Sequence, residues 1–400
     1  MRIKTSRLFT RIGVDTRAAF IVLFTLDAAC RALLLTIVPQ QAYQLLGSAK
    51  LVTLVYVAAS LSGLAASLVV PIALFRWNRR KVVTVAVVAN CLCCVLLASS
   101  RANGLIAALM LQTLATATIE IVVNLYLLEN VARRDLNRFE PLRLLFAGTS
   151  FVLGPWLGVA LHHRVAEGLT FLVVGLLLII FLFQFLLLTA DRPGGGTLGR
   201  ASPAAASSLG PLSFVRRFAG QPRLVLAWIL AVGRSGWWVM YFVYTPILVA
   251  QSGYGPEVGG LLVSVGQLPM LAVGGWAMLG RRYGLRRLLA LGYAGCGIAT
   301  VAVGAMTGWP IAAMACICLA ALFATMIDGA GNVPFLRAVR PLERSQMTAV
   351  FMTFRQIGSL APTAIYFGVL AFAPLPFVYV TSGLIAFVMA GLSLKLPRRL

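Results

Sequence analysis

The chain has 400 residues, of which 60% are hydrophobic and only 11% are charged. Soluble globular domains are about 45–50% apolar and about 25% charged, so this composition excludes an ordinary soluble domain and indicates a protein that lies in a bilayer. The formal net charge is +23. The basic residues are spread over alternate loops rather than gathered in one patch, which argues against nucleic-acid binding.

Apolar segments of about 20 residues, the length that spans a bilayer, recur along the whole chain. They cover 18–38, 51–75, 82–100, 104–128, 142–161, 168–190, 224–250, 258–279, 285–306, 311–333, 347–372 and 377–396. Six precede the segment 191–223 and six follow it. The pattern predicts an all-α membrane protein with twelve transmembrane helices in two six-helix bundles, whose partner is the lipid bilayer.

The segment 191–223 interrupts this pattern. It is rich in Gly, Pro, Ser and Ala, a composition typical of a flexible connector. We therefore expect an N-terminal bundle at 1–190, a cytoplasmic linker at 191–223 and a C-terminal bundle at 224–400. The end of the linker, PLSFVRRF, could form a short amphipathic helix on the inner leaflet.

The loops alternate in charge. Most of the 34 Lys and Arg lie in the two termini, the linker and every second loop, whereas the other loops hold only Lys50, Arg101 and Arg164. By the positive-inside rule, this places both termini in the cytoplasm. The short loops favour a bacterial cytoplasmic (inner) membrane. The seven cysteines lie inside the spans, and neither Cys91-x-Cys93-Cys94 nor Cys316-x-Cys318 is accompanied by a His or a carboxylate. His162 and His163 lie in an outward loop, so no metal or other cofactor is predicted.

The two halves repeat each other at particular residues. The fourth span carries Glu120 and Asn124 one turn apart, and the tenth carries Asp328 and Asn332 with the same spacing, 208 residues later. Prolines recur in the fifth and eleventh spans with an offset of 207. Parallel six-helix repeats are one of the known transporter plans, with the substrate site near the membrane midplane.

Three further segments carry a family resemblance. The loop after the second span reads Arg76-Trp-Asn-Arg79-Arg80-Lys81, and the loop after the eighth reads Arg281-Arg282-Tyr-Gly284-Leu-Arg286-Arg287. The fifth span contains Gly154-Pro155-Trp-Leu-Gly158. With the two-bundle plan, these segments resemble the major facilitator superfamily over essentially the whole chain. The loop after the second span lacks the family's Gly and acidic residue. Gln112 lies about where the family's proton-driven drug exporters carry an Arg.

The resemblance implies a secondary transporter that works by alternating access, with a small-molecule substrate and protons as partners and a monomer as the working unit. It also implies that charged loop residues close a cytoplasmic gate, although such residues can equally be simple determinants of topology. The candidate gate residues are Arg76, Arg79, Arg80, Glu129, Arg282, Gly284 and Arg286. The glycine–proline stretch in the fifth span resembles the motif associated with antiporters.

Charged and polar residues inside the spans are the candidate substrate or proton site, because a charge at bilayer depth is costly and usually faces a cavity or a partner. They fall on spans that line the central cavity in the family. The candidates are Asp27, Arg31, Glu120, Asn124, Arg234, Trp237, Tyr241, Asp328, Asn332, Arg355 and Gln356.

Two interpretations of these residues remain open. They can be structural ion pairs, such as Asp27 with Arg234 or Glu120 with Arg31, or carboxylates that exchange a proton as access alternates. Arg31 and Arg234 also resemble the paired arginines of organophosphate exchangers, although the repeat puts them one turn out of register. Trp237 and Tyr241 form an aromatic face that either stacks on a substrate or packs against a neighbouring helix.

Proton-coupled export of a small organic solute is the predicted function. Proton-coupled uptake, or exchange of an organic anion, is the alternative transport mode. A receptor or assembly factor on the same fold, without transport, is the alternative of another class. An enzyme is not predicted, because a catalytic His or metal cluster at membrane depth is lacking.

Overall fold

The computed structural model describes residues 16–130, 133–190, 211–340 and 343–397, and all regular secondary structure in these ranges is helical. The first half contains six long helices. They are α1 (Thr16–Leu46), α2 (Ala49–Arg76), α3 (Arg79–Ala98), α4 (Ala102–Asn130), α5 (Arg133–Ala160) and α6 (Leu169–Thr189). A π-helical turn, Leu161–Val165, follows α5.

The second half begins with a short helix, and one of the spans in its described residues is bent at a break. Its helices are α7 (Pro211–Ala219), α8 (Pro222–Gln251), α9 (Pro256–Gln267), α10 (Val273–Tyr283), α11 (Leu285–Ala305), α12 (Pro310–Asp328), α13 (Val333–Ala338), α14 (Arg344–Phe351), α15 (Phe354–Phe372) and α16 (Pro376–Ser393). A 3-10 turn, Leu268–Ala272, joins α9 to α10.

The all-α fold class predicted from the sequence is confirmed. Ten helices of the described chain are long and apolar enough to cross a membrane, and the bent pair α9–α10 makes eleven if it is one span. The predicted span at 347–372 corresponds to α14 and α15. Helix α15 has only 19 residues, and Arg355 and Gln356 at its start lower its mean hydropathy.

The chain divides into two compact units. Unit 1 comprises Met1–Gly47 and Ala58–Ala201, and unit 2 comprises Ser48–Val57 and Ser202–Leu400. The main division therefore falls inside the segment 191–223, and the short stretch at the start of α2 belongs to unit 2. Each unit has its own buried core and its own charged cluster.

Glycines let helices approach closely within unit 1. A Cβ on Gly154 would lie 2.4 Å from the Cβ of Ala32, and a Cβ on Gly158 would lie 2.0 Å from the carbonyl oxygen of Leu33. Both distances are shorter than van der Waals contact, so α1 and α5 pack backbone against backbone only because these positions lack a side chain. The candidate antiporter motif thus has a packing role here.

Unit 2 contains the corresponding contact between α8 and α15. A Cβ on Gly236 would lie 2.5 Å from Cγ of Pro362, and a Cβ on Gly358 would lie 2.6 Å from Cβ of Ser235. The prolines in α5 and α15 that mark the repeat in the sequence therefore lie beside the same kind of close helix crossing. This similarity supports the internal repeat at the level of packing.

The short helix α7 packs against unit 2. Its Phe218 is buried in a cluster with Leu224, Phe335 and Met347, while Val215 on the same helix is half exposed. Arg217 at its end makes an ion pair with the buried Glu343, Nη2 to Oε1, at 2.5 Å. Gln221 donates to the other carboxylate oxygen at 3.2 Å. The amphipathic segment predicted at the end of the linker is therefore a helix that is anchored to the loop before α14.

Candidate functional site

Unit 1 holds a charged cluster built from α1 and α4. Arg31 donates from Nη2 to Oδ2 of Asp27 at 2.6 Å, one turn away on the same helix. Its Nη1 lies 3.8 Å from Oε2 of Glu120 on α4. The guanidinium therefore lies between two carboxylates, one held tightly and one held loosely, and the pairing of Glu120 with Arg31 expected from the sequence is present.

Unit 2 holds a second charged cluster, built from α8 and the end of α12. Nε of Arg234 lies 3.4 Å from Oδ1 of Asp328. The same guanidinium donates to the carbonyl oxygen of Gly331 at 3.0 Å and to Oδ1 of Asn332 at 3.4 Å. It also lies over the ring of Phe354, 5.7 Å from the centroid. The described ion pair of Arg234 is thus made within its own unit.

Trp238 is a member of this cluster that the sequence analysis did not select. Its indole Nε1 donates to Oδ2 of Asp328 at 2.8 Å, and its ring stacks on Phe242 with centroids 5.4 Å apart. A signal for it exists in the sequence, because Trp238 lies 207 residues after Arg31 and therefore occupies the equivalent repeat position. Both residues contact the acidic residue of the partner helix in their unit.

The aromatic face predicted on α8 is mostly internal. Trp237 is 5% exposed, donates to Oγ1 of Thr300 at 3.0 Å and stacks on Tyr241. Tyr241 is fully buried, and its hydroxyl donates to the carbonyl oxygen of Leu262 at 3.1 Å. Their polar atoms are used by neighbouring helices, so the geometry favours the packing interpretation for Trp237 and Tyr241. The half-buried Trp238 is the better candidate for solute contact.

The remaining cavity candidates lie at the margin of these clusters. Asn124 is half-buried one turn after Glu120, and Gln356 is half-buried. Arg355 is exposed. The aromatic ring that contacts Arg234 belongs to Phe354, the residue before Arg355, so the start of α15 reaches the cluster through its apolar side chain.

The gate candidates in the loop after α2 divide by burial. Arg79 is buried, whereas Arg76 is exposed. Arg80 donates from Nε to Oγ1 of Thr189 at 3.1 Å and from Nη2 to the carbonyl oxygen of the same residue. Because Thr189 ends α6, Arg80 ties the start of α3 to the end of α6. The side chain of Glu129 lies outside the described residues.

The gate candidates after α10 have a different arrangement. Gly284 has φ +90°, a conformation that favours glycine, and it makes the tight turn between α10 and α11. Arg282 is exposed and lies over the ring of Tyr283 at 5.5 Å. Arg286 is half-buried in the first turn of α11. The glycine of this motif therefore has a clear backbone role, and the role of its arginines stays a prediction.

In the part of the chain that the structure describes, no group of three or more His, Cys, Asp or Glu residues could hold a metal ion. His162 and His163 lie side by side, with ring centroids 4.8 Å apart. Nδ1 of His162 accepts the backbone N–H of Gly168 at 3.0 Å. That bond closes the turn between α5 and α6, which is a structural role.

Solved structures resemble the chain over nearly its whole length. A mutant of the nucleoside transporter NupG has a TM-score of 0.75 and 13% identity, over 96% of this chain and 100% of that one. A second NupG structure has a TM-score of 0.68 and 12% identity, over 95% and 98%. A D-xylose–proton symporter has a TM-score of 0.74 and 12% identity, over 98% and 99%. At these identities the likeness concerns the fold.

The sequence comparison is consistent with the fold. No curated protein matches the sequence. The family model for the Major Facilitator Superfamily matches residues 20–363, which covers all of unit 1 that the structure describes beyond the first turn of α1 and most of unit 2. The resemblance seen in the loop motifs and in the repeat is therefore confirmed, and the chain is an integral membrane protein that belongs to the major facilitator superfamily.

Proposed function

We propose that the protein is a secondary active transporter that moves a small organic solute by alternating access, coupled to protons. One observation carries the proposal: each unit has a charged cluster on repeat-related helices, at positions where burial of charge is costly. Clusters of this kind are kept where a protein binds ions or polar solutes in a bilayer, and the family gives them a transport context.

Unit 1 supplies the element for proton coupling. Arg31 contacts Asp27 at 2.6 Å and Glu120 at 3.8 Å. A proton on Asp27 removes the charge that holds Arg31 and leaves Glu120 as the stronger partner, so the guanidinium shifts from α1 toward α4. Two discrete partners for one side chain constitute a two-state element. A proton gradient biases such an element directly.

Unit 2 supplies the element for solute contact. The rings of Trp238 and Phe354 flank the Arg234–Asp328 pair. A half-buried indole beside a carboxylate and a guanidinium offers a stacking surface together with hydrogen-bond donors and acceptors. This combination suits a solute that has a flat or cyclic part and polar substituents.

Export is the predicted direction; it rests on the glycine–proline stretch in α5, on the acidic residue in α1 and on a cavity that mixes aromatic and charged side chains. The packing of Gly154 and Gly158 against α1 explains these residues without reference to direction. The similarly folded proteins include a nucleoside transporter and a sugar–proton symporter. We therefore include nucleosides and pentoses among the candidate solutes and test both directions.

The test begins with thermal unfolding of the purified protein in the presence of cationic drugs, organic anions, nucleosides and sugars, since a ligand that binds the folded state raises its apparent stability. Each stabilising compound is then assayed in proteoliposomes with the pH gradient imposed in either direction. We expect at least one compound to accumulate on the side with the higher proton concentration, against the direction of proton flux, which is antiport and the sign of export.

Three outcomes would count against parts of this proposal. Accumulation on the side with the lower proton concentration, to which the protons flow, would indicate symport and would reverse the proposed direction of transport. Movement that does not respond to the gradient or to a protonophore would remove proton coupling. Binding without any movement in liposomes would favour the receptor alternative.

A further inference from the structure

Unit 2 contains a large apolar cavity beside α8. Its volume is about 450 Å³, within the range of about 300–1,000 Å³ typical of small-molecule sites. Residues of α8, α15 and α16 form its walls, among them Trp237, Pro362, Tyr366, Ile385 and Met389. Helix α11 contributes the buried side chains of Tyr293 and Cys296.

The cavity opens on the apolar outer face of the bundle. Ile365 on α15 and Leu384 and Val388 on α16 line it, and they are 46%, 55% and 59% exposed. Large apolar side chains with this exposure on a membrane-spanning helix such as α16 contact hydrocarbon. The mouth of the cavity is therefore continuous with the surface that the bilayer covers.

The lining offers little to a polar ligand. Among the described residues that line the cavity, none carries a charge. The hydroxyl of Tyr293 donates to the carbonyl oxygen of Leu230 at 2.6 Å, and the indole of Trp237 donates to Thr300 at 3.0 Å. With these donors already used inside the protein, the walls suit a hydrocarbon chain better than water or a polar solute.

We propose that one acyl chain of a bilayer phospholipid occupies this cavity. An unfilled space of this size would deprive its walls of dispersion contacts, and the molecules that surround its mouth in a membrane are lipids. The acyl chain contacts Trp237, which lines the cavity. The ring of Trp237 lies 5.0 Å from that of Trp238 in an edge-to-face contact. The acyl chain thus supports the aromatic residue that holds Asp328.

The test uses tryptophan quenching by brominated lipid. A protein that keeps only Trp237, with the other six of its seven tryptophans replaced by Phe, is reconstituted in phosphatidylcholine with or without bromine in mid-chain. Two variants are made in this background. Ala361→Phe fills the cavity, since Ala361 lines it; Ala364→Phe adds the same ring to an exposed position on the same helix.

We expect the brominated lipid to quench Trp237 in the parent and in Ala364→Phe. In Ala361→Phe we expect the quenching to fall at least about twofold, because the added ring displaces the chain from van der Waals contact with the indole. Native mass spectrometry of the protein with all its tryptophans gives an independent measurement. Bound phospholipid should persist in Ala364→Phe and be lost in Ala361→Phe.

Equal quenching in the two variants would overturn the proposal. So would quenching of Trp237 by aqueous acrylamide in place of brominated lipid, which would show a cavity filled with water. Protection from both reagents would mean that protein covers the mouth, as in a dimer, and would equally rule out a lipid chain.

Discussion

Trp238 donates a hydrogen bond from Nε1 to Oδ2 of Asp328 over 2.8 Å, and it does so from the position that Arg31 occupies in the first repeat. Arg31 likewise approaches the acidic residue of the partner helix, Glu120, at 3.8 Å. The two units therefore keep the same connection between helices with different chemistry. In unit 1 the residue at this position makes an ionic contact and has a second partner in Asp27. In unit 2 it donates a hydrogen bond from a neutral ring, and the ionic contact with Asp328 comes from Arg234 instead.

The first prediction concerns Trp238. Trp238→Phe keeps the ring and removes the donor to Asp328. Hydrogen bonds to charged groups contribute about 1.5–3 kcal/mol, so we expect binding of the stabilising solute to weaken by about tenfold or more. Isothermal titration or the thermal-shift dose response measures this change. Trp309→Phe, at a position that is 77% exposed, is the matched control; equal affinities for the two variants would remove Trp238 from the solute site.

The second prediction concerns proton coupling in unit 1. Asp27→Asn removes the carboxylate that holds Arg31, and Glu120→Gln removes its alternative partner. We expect Asp27→Asn to transport at a rate that no longer depends on pH, because the exchange of Arg31 between two carboxylates has lost its proton-sensitive member. Counterflow of the solute measured from pH 5 to 8 checks this.

The control for this experiment is Glu167→Gln, at an exposed turn between α5 and α6, which should retain the parent pH profile. If both Asp27→Asn and Glu120→Gln keep that profile, proton coupling through this cluster is wrong. Loss of transport alone does not decide the matter, since breaking a buried ion pair is itself destabilising. The pH profile of the residual activity is the informative measurement.

The third prediction concerns the crossing of α1 and α5. Gly158→Ala places a Cβ 2.0 Å from the carbonyl oxygen of Leu33, and overpacking of this kind costs about 1–3 kcal/mol. We expect a fall of several degrees in the unfolding temperature in detergent. Gly175→Ala on α6, where a Cβ meets nothing within 4 Å, should leave it nearly unchanged. Similar unfolding temperatures for the two variants would show that the close approach is not required.

The fourth prediction concerns the anchor of α7. Arg217→Ala leaves the buried carboxylate of Glu343 with Gln221 as its described partner, and a buried charged group that loses a partner costs about 1–3 kcal/mol or more. We expect faster proteolysis around α7 and a lower unfolding temperature. Adding Glu343→Gln should restore most of the loss by removing the charge. Arg216→Ala, at an exposed position on the same helix, is the control and should behave like the parent.

The fifth prediction concerns orientation. The loop charges place Arg164 outside and Arg282 inside. In a cysteine-free background, Arg164→Cys should react with a membrane-impermeant maleimide on intact cells, and Arg282→Cys should react only after the membrane is opened. The reverse pattern would overturn the assignment of both termini to the cytoplasm.

Much of the fold was predictable because its causes are local in the sequence. Apolar length and loop charge predict helices and their direction, and the equal spacing of Glu120/Asn124 and Asp328/Asn332 predicts the repeat. The breaks were harder to foresee. Residues 258–279 form one apolar segment, yet the structure bends it by 46° between α9 and α10, because such a bend depends on how neighbouring helices pack.

The candidate site was predictable to the level of residue types. A charge inside a span has few energetically acceptable surroundings, so Asp27, Arg31, Glu120, Arg234 and Asp328 could be selected from the sequence alone. Their partners were predictable only in part. The pairing of Arg31 with Glu120 was expected, whereas the described ion pair of Arg234 is with Asp328 and not with Asp27, because hydropathy carries no information on how helices are rotated about their axes.

Composition, loop charge and the internal repeat were sufficient to assign the chain to a bilayer, to indicate two halves and to select the charges that lie inside the spans. The packing of the helices fixes which of these charges contact each other. Helix packing brings Trp238 to Asp328 and buries Trp237 and Tyr241. It also leaves an apolar cavity that Trp237 lines. The physical reason is that burial constrains each residue separately, whereas a hydrogen bond or a cavity depends on the relative rotation and spacing of whole helices.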